Sequence, residues 1–115
     1  MIRVFHCDDS EAFRLVVREM LRDGGEIEVV GGAPTVAAAQ DALPGAAPDV
    51  VLLDLLEGAG EDDLVARLAP HAPAARFVVY SGRPERDGAA AAAHLHKAAD
   101  FGELRRVILE VVADA

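Results

Sequence analysis

The sequence predicts an α/β three-layer sandwich built on a five-stranded parallel sheet. Three observations carry that prediction. Short apolar runs alternate along the chain with stretches of helical apolar periodicity. The run at 50–53, Val-Val-Leu-Leu, has no polar position, as expected of a strand covered by helices on both faces. The 115 residues, 52% of them hydrophobic, are one domain's worth of chain and can bury a core without disulfides; Cys7 is the single cysteine.

Each element has its own reason. Residues 3–7 read as a strand, with Val4 and Phe5 as strand formers and acidic residues directly after. Asp9 or Ser10 caps a helix to about residue 23, with Phe13, Val16, Val17, Met20 and Leu21 as its apolar face. Gly24-Gly25 ends it. Residues 27–30 form a second strand, closed by Gly31-Gly32. Thr35 caps a helix through Leu43, with Val36, Ala39 and Leu43 inward, stopped by Pro44-Gly45. The third strand carries Asp49 and Asp54 at its two ends. Residues 61–69 are a helix halted by Pro70, 77–80 a buried strand, and 94–96 a short fifth strand. Asp100 and Glu103 make a capping pair for a last helix faced by Leu104, Val107, Ile108, Val111 and Val112.

Composition removes several function classes. No apolar run approaches the roughly 20 residues of a membrane span, and residues 1–5 lack a secretory signal pattern. Eleven basic against 20 acidic residues give a net charge of -9, which argues against direct nucleic-acid binding. The aromatic content is 4% with no Trp, which argues against base-stacking platforms. The lone cysteine fits a reducing cytoplasm.

Ligands of parallel α/β sheets bind outside the carboxyl ends of the strands. There the sequence puts Asp8-Asp9, Asp54, Ser81 and Lys97, the only lysine of the chain. Each alone has an ordinary reading: turn starter, helix cap, solvated surface residue. Their joint placement at four strand ends favours chemistry. Three neighbouring carboxylates require a cation, and hard oxygen donors suit Mg²⁺. Lys97 supplies a positive charge and Ser81 a hydroxyl. A strand-end aspartate beside a divalent ion and a lysine is a nucleophile suited to phosphorus, giving an acyl phosphate.

These motifs are Val4-Phe5-His6-Cys7-Asp8-Asp9-Ser10, the run from Pro48 to Leu55, Val78-Val79-Tyr80-Ser81-Gly82, and Lys97. The set resembles the receiver domain of bacterial two-component response regulators, over essentially the whole chain. The resemblance implies a flavodoxin-like strand order 2-1-3-4-5. It makes Asp54 the phosphoacceptor. Asp8, Asp9, Asp54 and the backbone carbonyl of Leu56 become the Mg²⁺ ligands. Ser81 would contact and report the phosphoryl group, and Lys97 would pair with a phosphoryl oxygen. The donor would be a histidine kinase, a phosphotransfer protein or a small phosphodonor. The chain would be no enzyme beyond self-phosphorylation and autodephosphorylation, a cytoplasmic protein able to form a homodimer, and a single domain over 1–115 without an output domain.

Departures from the family pattern carry further expectations. The loop 55–60 lacks the family's Pro-Gly pair. The family's switch aromatic, three places before the lysine, is His94, whose charge depends on pH. Ser81 and Lys97 lie 16 apart, short by roughly a turn and a half of helix. A shortened or missing fourth helix follows, with at most about two turns over 83–93. The last helix then becomes the expected surface for self-association or partner contact. The competing function is a pseudo-receiver, an interaction module independent of phosphorylation. A haloacid-dehalogenase-like hydrolase is discounted because Leu56 stands where its general acid belongs. A flavin-binding fold is discounted because Asp8-Asp9 would repel a phosphate.

Overall fold

The computed structural model describes residues 1–82 and 88–114. Five parallel strands form one sheet: β1 (Ile2–Cys7), β2 (Ile27–Ala33), β3 (Val50–Leu53), β4 (Arg76–Ser81) and β5 (Ala93–His96). Their order is β2-β1-β3-β4-β5. Among the described residues four α-helices cover it: α1 (Glu11–Arg22), α2 (Val36–Ala46), α3 (Glu61–Leu68) and α4 (Phe101–Ala113).

Strand alternation divides the core in two. Val4, Val50, Leu52, Val78 and Tyr80 point to the side of α1 and α4, where they meet Val17, Leu21, Leu104 and Ile108. Phe5, Cys7, Val51, Leu53, Phe77 and Val79 point to the side of α2 and α3, against Val36, Leu43, Leu64 and Leu68. Central β3 serves both cores, which is why its four residues are all apolar and fully buried.

Helix ends fix what reaches the sheet edge. Ser10, not Asp9, caps α1: its Oγ accepts the Phe13 N–H at 3.1 Å. Arg105 of α4 closes the other end of α1 by donating to the carbonyls of Met20, Leu21 and Asp23. The buried face of α1 is narrower than its periodicity predicts. Val17 and Leu21 are buried and Phe13 partly so, but Val16 and Met20 are 48% and 46% exposed. They sit about 100° around the helix from the buried pair, outside the arc that meets the sheet and α4. The exposed large apolar side chains among the described residues are Met1, Leu15, Val16 and Met20. Apart from Met1, the uncovered large apolar side chains therefore lie on α1, not on the last helix as expected.

Two other boundaries move. β2 runs on through Gly31-Gly32 to Ala33 because these glycines let the strand pack closely on β1. A Cβ at Gly31 would lie 3.1 Å from the Phe5 ring, and one at Gly32 only 2.8 Å from the His6 carbonyl oxygen. α2 continues past Pro44 to Ala46. A proline in the last turn removes one hydrogen bond only, and the Ala47 N–H closes the helix on the Leu43 carbonyl at 3.0 Å. Between β4 and β5, residues 88–92 form no helix, in line with the shortened connection; the rest of the expected short helix, 83–87, lies outside the described residues.

Candidate functional site, an acidic cluster with one lysine

The carboxyl ends of β1, β3, β4 and β5 lie side by side, because all four strands are parallel and adjacent. Asp8 follows β1, Asp54 follows β3, Ser81 ends β4 and Lys97 follows β5. Backbone bonds extend the register past the strands: Asp54 N–H donates to the Cys7 carbonyl at 2.9 Å, and Lys97 N–H to the Ser81 carbonyl at 2.9 Å. Side chains 16 (Ser81 and Lys97), 43 (Asp54 and Lys97) and 46 (Asp8 and Asp54) residues apart are thus delivered to one edge by the ladder.

Carboxylate oxygens of Asp8, Asp9 and Asp54 all lie within 4.8 Å of one another. Asp8 is fully buried, Asp9 exposed, and Asp54 between them. Lys97 Nζ reaches into the cluster, 2.7 Å from Asp8 Oδ2 and 3.2 Å from Asp54 Oδ2. The remaining oxygens are held by the backbone. Asp8 Oδ1 accepts the Ser10 N–H at 2.9 Å, and Asp54 Oδ1 accepts the Leu55 N–H at 3.0 Å. Burial alone would lower the Lys97 pKa; hydrogen bonding and charge from Asp8 and Asp54 outweigh it and raise it, so the lysine stays a cation.

Three carboxylates face one ammonium, so the cluster carries an excess of negative charge. Clustered hard oxygen donors with an open, partly exposed side fit Mg²⁺ better than a softer ion. The Leu56 carbonyl accepts the Ala59 N–H at 3.0 Å and keeps a second lone pair for a metal. Ser81 is buried, 4% exposed. His94 is brought not to the cluster but to the start of α3, its Nε2 2.6 Å from Glu61 Oε1.

Sequence reasoning did not include several neighbours. The Phe13 ring lies under Lys97, 4.9 Å from centroid to Nζ, and holds the ammonium from the apolar side. Arg14 Nη1 donates to the Asp8 carbonyl at 2.6 Å. Glu57, with a left-handed φ of 58°, turns the loop after Asp54 so that its Oε2 accepts the Val36 N–H at 2.8 Å. That bond ties the loop to α2 even without a Pro-Gly pair. Phe13 and Arg14 sit one helical turn beyond the Asp8-Asp9 pair, a spacing that could have flagged them. Under the site, His6 is 1% exposed, its Nε2 3.7 Å from Asp8 Oδ2, and among the described residues neither ring nitrogen makes a hydrogen bond. Burial lowers its pKa to about 4, against the opposing pull of Asp8, so it is neutral at physiological pH. Cys7 is likewise buried, and burial raises its thiol pKa to about 12.

No family model matches the chain. It is 37% identical over 74 residues to protein-glutamate methylesterase/protein-glutamine glutaminase 3 of Burkholderia thailandensis, covering 61% of this chain and 21% of that protein. It is 40% identical over 73 residues to the DNA-binding transcriptional activator DevR/DosR of Mycobacterium tuberculosis, covering 59% of this chain and 34% of that one. The chain thus spans about a fifth to a third of the length of these curated relatives. Among solved structures it is similar to the signal receiver domain of NarL from Mycobacterium tuberculosis, with a TM-score of 0.79, 27% identity, and coverage of 99% and 98% of the two chains.

Proposed function

We infer that this chain, a receiver domain of the response-regulator family, accepts a phosphoryl group on Asp54 from a histidine kinase or phosphotransfer protein. The observation that carries the reading is the Lys97 ammonium bridging Asp8 and Asp54 at 2.7 and 3.2 Å beside the exposed Asp9. The side chain of Asp54 is 17% exposed, enough for a donor to reach it.

In the transfer, a carboxylate oxygen of Asp54 forms a bond to phosphorus as the bond from phosphorus to the donor breaks. The electron pair leaves with the donor; for a phosphohistidine it stays on the imidazole nitrogen, which then binds a proton. Lys97, already a cation against Asp54, is positioned to pair with the added phosphoryl oxygens. The Ser81 hydroxyl, at the end of the neighbouring strand, is the assigned contact of the product. Mg²⁺, held by Asp8, Asp9, Asp54 and the Leu56 carbonyl, would supply positive charge against that of the phosphoryl group. His94 is assigned the switch position. The buried free thiol of Cys7 supports a reducing, cytoplasmic setting. No helix among the described residues is long and apolar enough to cross a membrane.

One observation favours the pseudo-receiver reading, namely the absence of helix over residues 88–92. Intact mass after incubation with acetyl phosphate and Mg²⁺ separates the two. Transfer predicts one added phosphoryl group in the wild type and none in Asp54→Asn. An unmodified wild type would leave only the interaction module.

A further inference from the structure

We propose that the carboxylates of Glu61 and Asp62 form a clasp that holds residues 88–94 and couples them to the Asp54 site. The segment leads into β5, and it is built of Gly88 and a run of alanines before His94. Alanine side chains bury little area, so packing alone holds such a segment weakly. The structure supplies polar ties instead. Asp62 Oδ1 accepts the N–H groups of Ala89 and Ala90, each at 3.1 Å. Glu61 Oε2 accepts the Ala91 N–H at 2.9 Å, and Glu61 Oε1 lies 2.6 Å from His94 Nε2.

Two features mark these bonds as more than surface contacts. Glu61 is 1% exposed, and a carboxylate that deep is costly unless partnered. Ala91 and His94 are the partners that offset its desolvation. At Gly88, a Cβ would come within 2.6 Å of Asp62 Oδ1, so a glycine is required for the chain to approach the carboxylate.

The clasp is wired to the site at both ends. Glu61 follows Asp54 by seven residues, through a loop pinned to α2 by Glu57. His94 precedes Lys97 by three on β5 and its end. β5 is therefore cross-linked twice to the β3–α3 connection, by Asp54–Lys97 and by Glu61–His94. A change of charge at Asp54 alters the first link, and the short covalent paths transmit it to the second. Coupling of this kind is a free energy that a double-mutant cycle measures.

The experiment is amide hydrogen exchange by NMR on the wild type, Asp54→Asn, Glu61→Gln and the double variant, with the amides of α4 as a control for global folding. Glu61→Gln should speed exchange at Ala91 about tenfold or more, and Asp62→Asn should do so at Ala89 and Ala90. Asp54→Asn should change exchange at Ala91 about threefold or more in the wild-type background and much less in Glu61→Gln. Additive effects would overturn the coupling. Should α4 exchange rise with Glu61→Gln, the same cycle with His94→Gln decides. Because Asp54→Asn perturbs the site without any phosphoryl chemistry, this outcome stands apart from the phosphoacceptor reading. A final arm adds acetyl phosphate and Mg²⁺ while mass is monitored. A phosphorylated protein with unchanged exchange at Ala89–Ala91 would overturn the clasp and leave the phosphoacceptor reading standing. Absence of phosphorylation would overturn that reading alone.

Discussion

Strand β3 has an aspartate beyond each end, and the two live in different surroundings. Asp49, before the strand, spends its carboxylate on the backbone: Oδ2 accepts the Arg3 N–H at 2.9 Å. Its own N–H and carbonyl continue the ladder to Arg3 and Arg76. Asp54, after the strand, meets two more carboxylates and the Lys97 ammonium instead. In sequence the two are near mirror images around an apolar run. The difference is made by the polarity of a parallel sheet, which gathers every strand's carboxyl end, with whatever follows it, on one edge. One end of β3 is stapled, and the other is crowded with like charge that calls for a cation.

The largest expected contrast is chemical. Asp54→Asn should abolish phosphoryl uptake from acetyl phosphate, at least 100-fold in rate, whereas Asp49→Asn should leave it unchanged. Intact mass reads both, and equal losses would erase the distinction between the ends. Metal binding sharpens it further. Asp9→Ala should weaken Mg²⁺ binding by about tenfold or more, because it removes an anionic ligand from a site of few. Asp8→Ala should weaken it less if Asp8 acts through water, and Asp49→Ala should leave calorimetric Mg²⁺ affinity unaltered.

Stability gives the next contrast. Lys97→Met leaves the buried Asp8 without its cation, and should destabilise the metal-free protein by about 3 kcal/mol, partly recovered by Mg²⁺. Asp49→Ala removes one hydrogen bond at the exposed end and should cost about 1 kcal/mol. Urea denaturation with and without Mg²⁺ compares them; equal costs would mean that the Lys97 bridge contributes nothing special.

The last contrast is in pH dependence. His6 has a folded pKa of about 4 against an ordinary 6.5. Below the ordinary value the unfolded chain binds the proton and the folded one does not, so stability falls as pH drops from about 6.5 to about 4. In metal-free buffer this amounts to at most ~3 kcal/mol. His6→Phe should flatten that portion of the pH profile.

Much of this was legible from local pattern. The all-apolar 50–53 run announced a strand buried on both faces, and the Asp8-Asp9, Asp54 and Lys97 set announced the edge where carboxylates and the lysine gather. Ser10 against Asp9 as the helix cap was left open, because both side chains can accept the same N–H; the structure gives the cap to Ser10 and leaves Asp9 with the cluster. The face of α1 was read too wide, since periodicity names the apolar stripe and not the arc that a neighbouring helix covers. Gly31-Gly32 read as a terminator, although their role is close approach to Phe5 and His6 across the ladder.

By itself, then, the sequence determined the order of strands and helices, the charge imbalance and the residues that stand at the strand ends. These follow from apolar spacing, caps and breakers within a few residues of one another. Only the tertiary structure decided that Glu61 would be buried against His94, that Glu57 would cap α2, and that Phe13 would lie under Lys97. Those contacts join residues from separate elements. Such pairings depend on how the helices settle on the twisted sheet, and a one-dimensional pattern carries no record of that geometry.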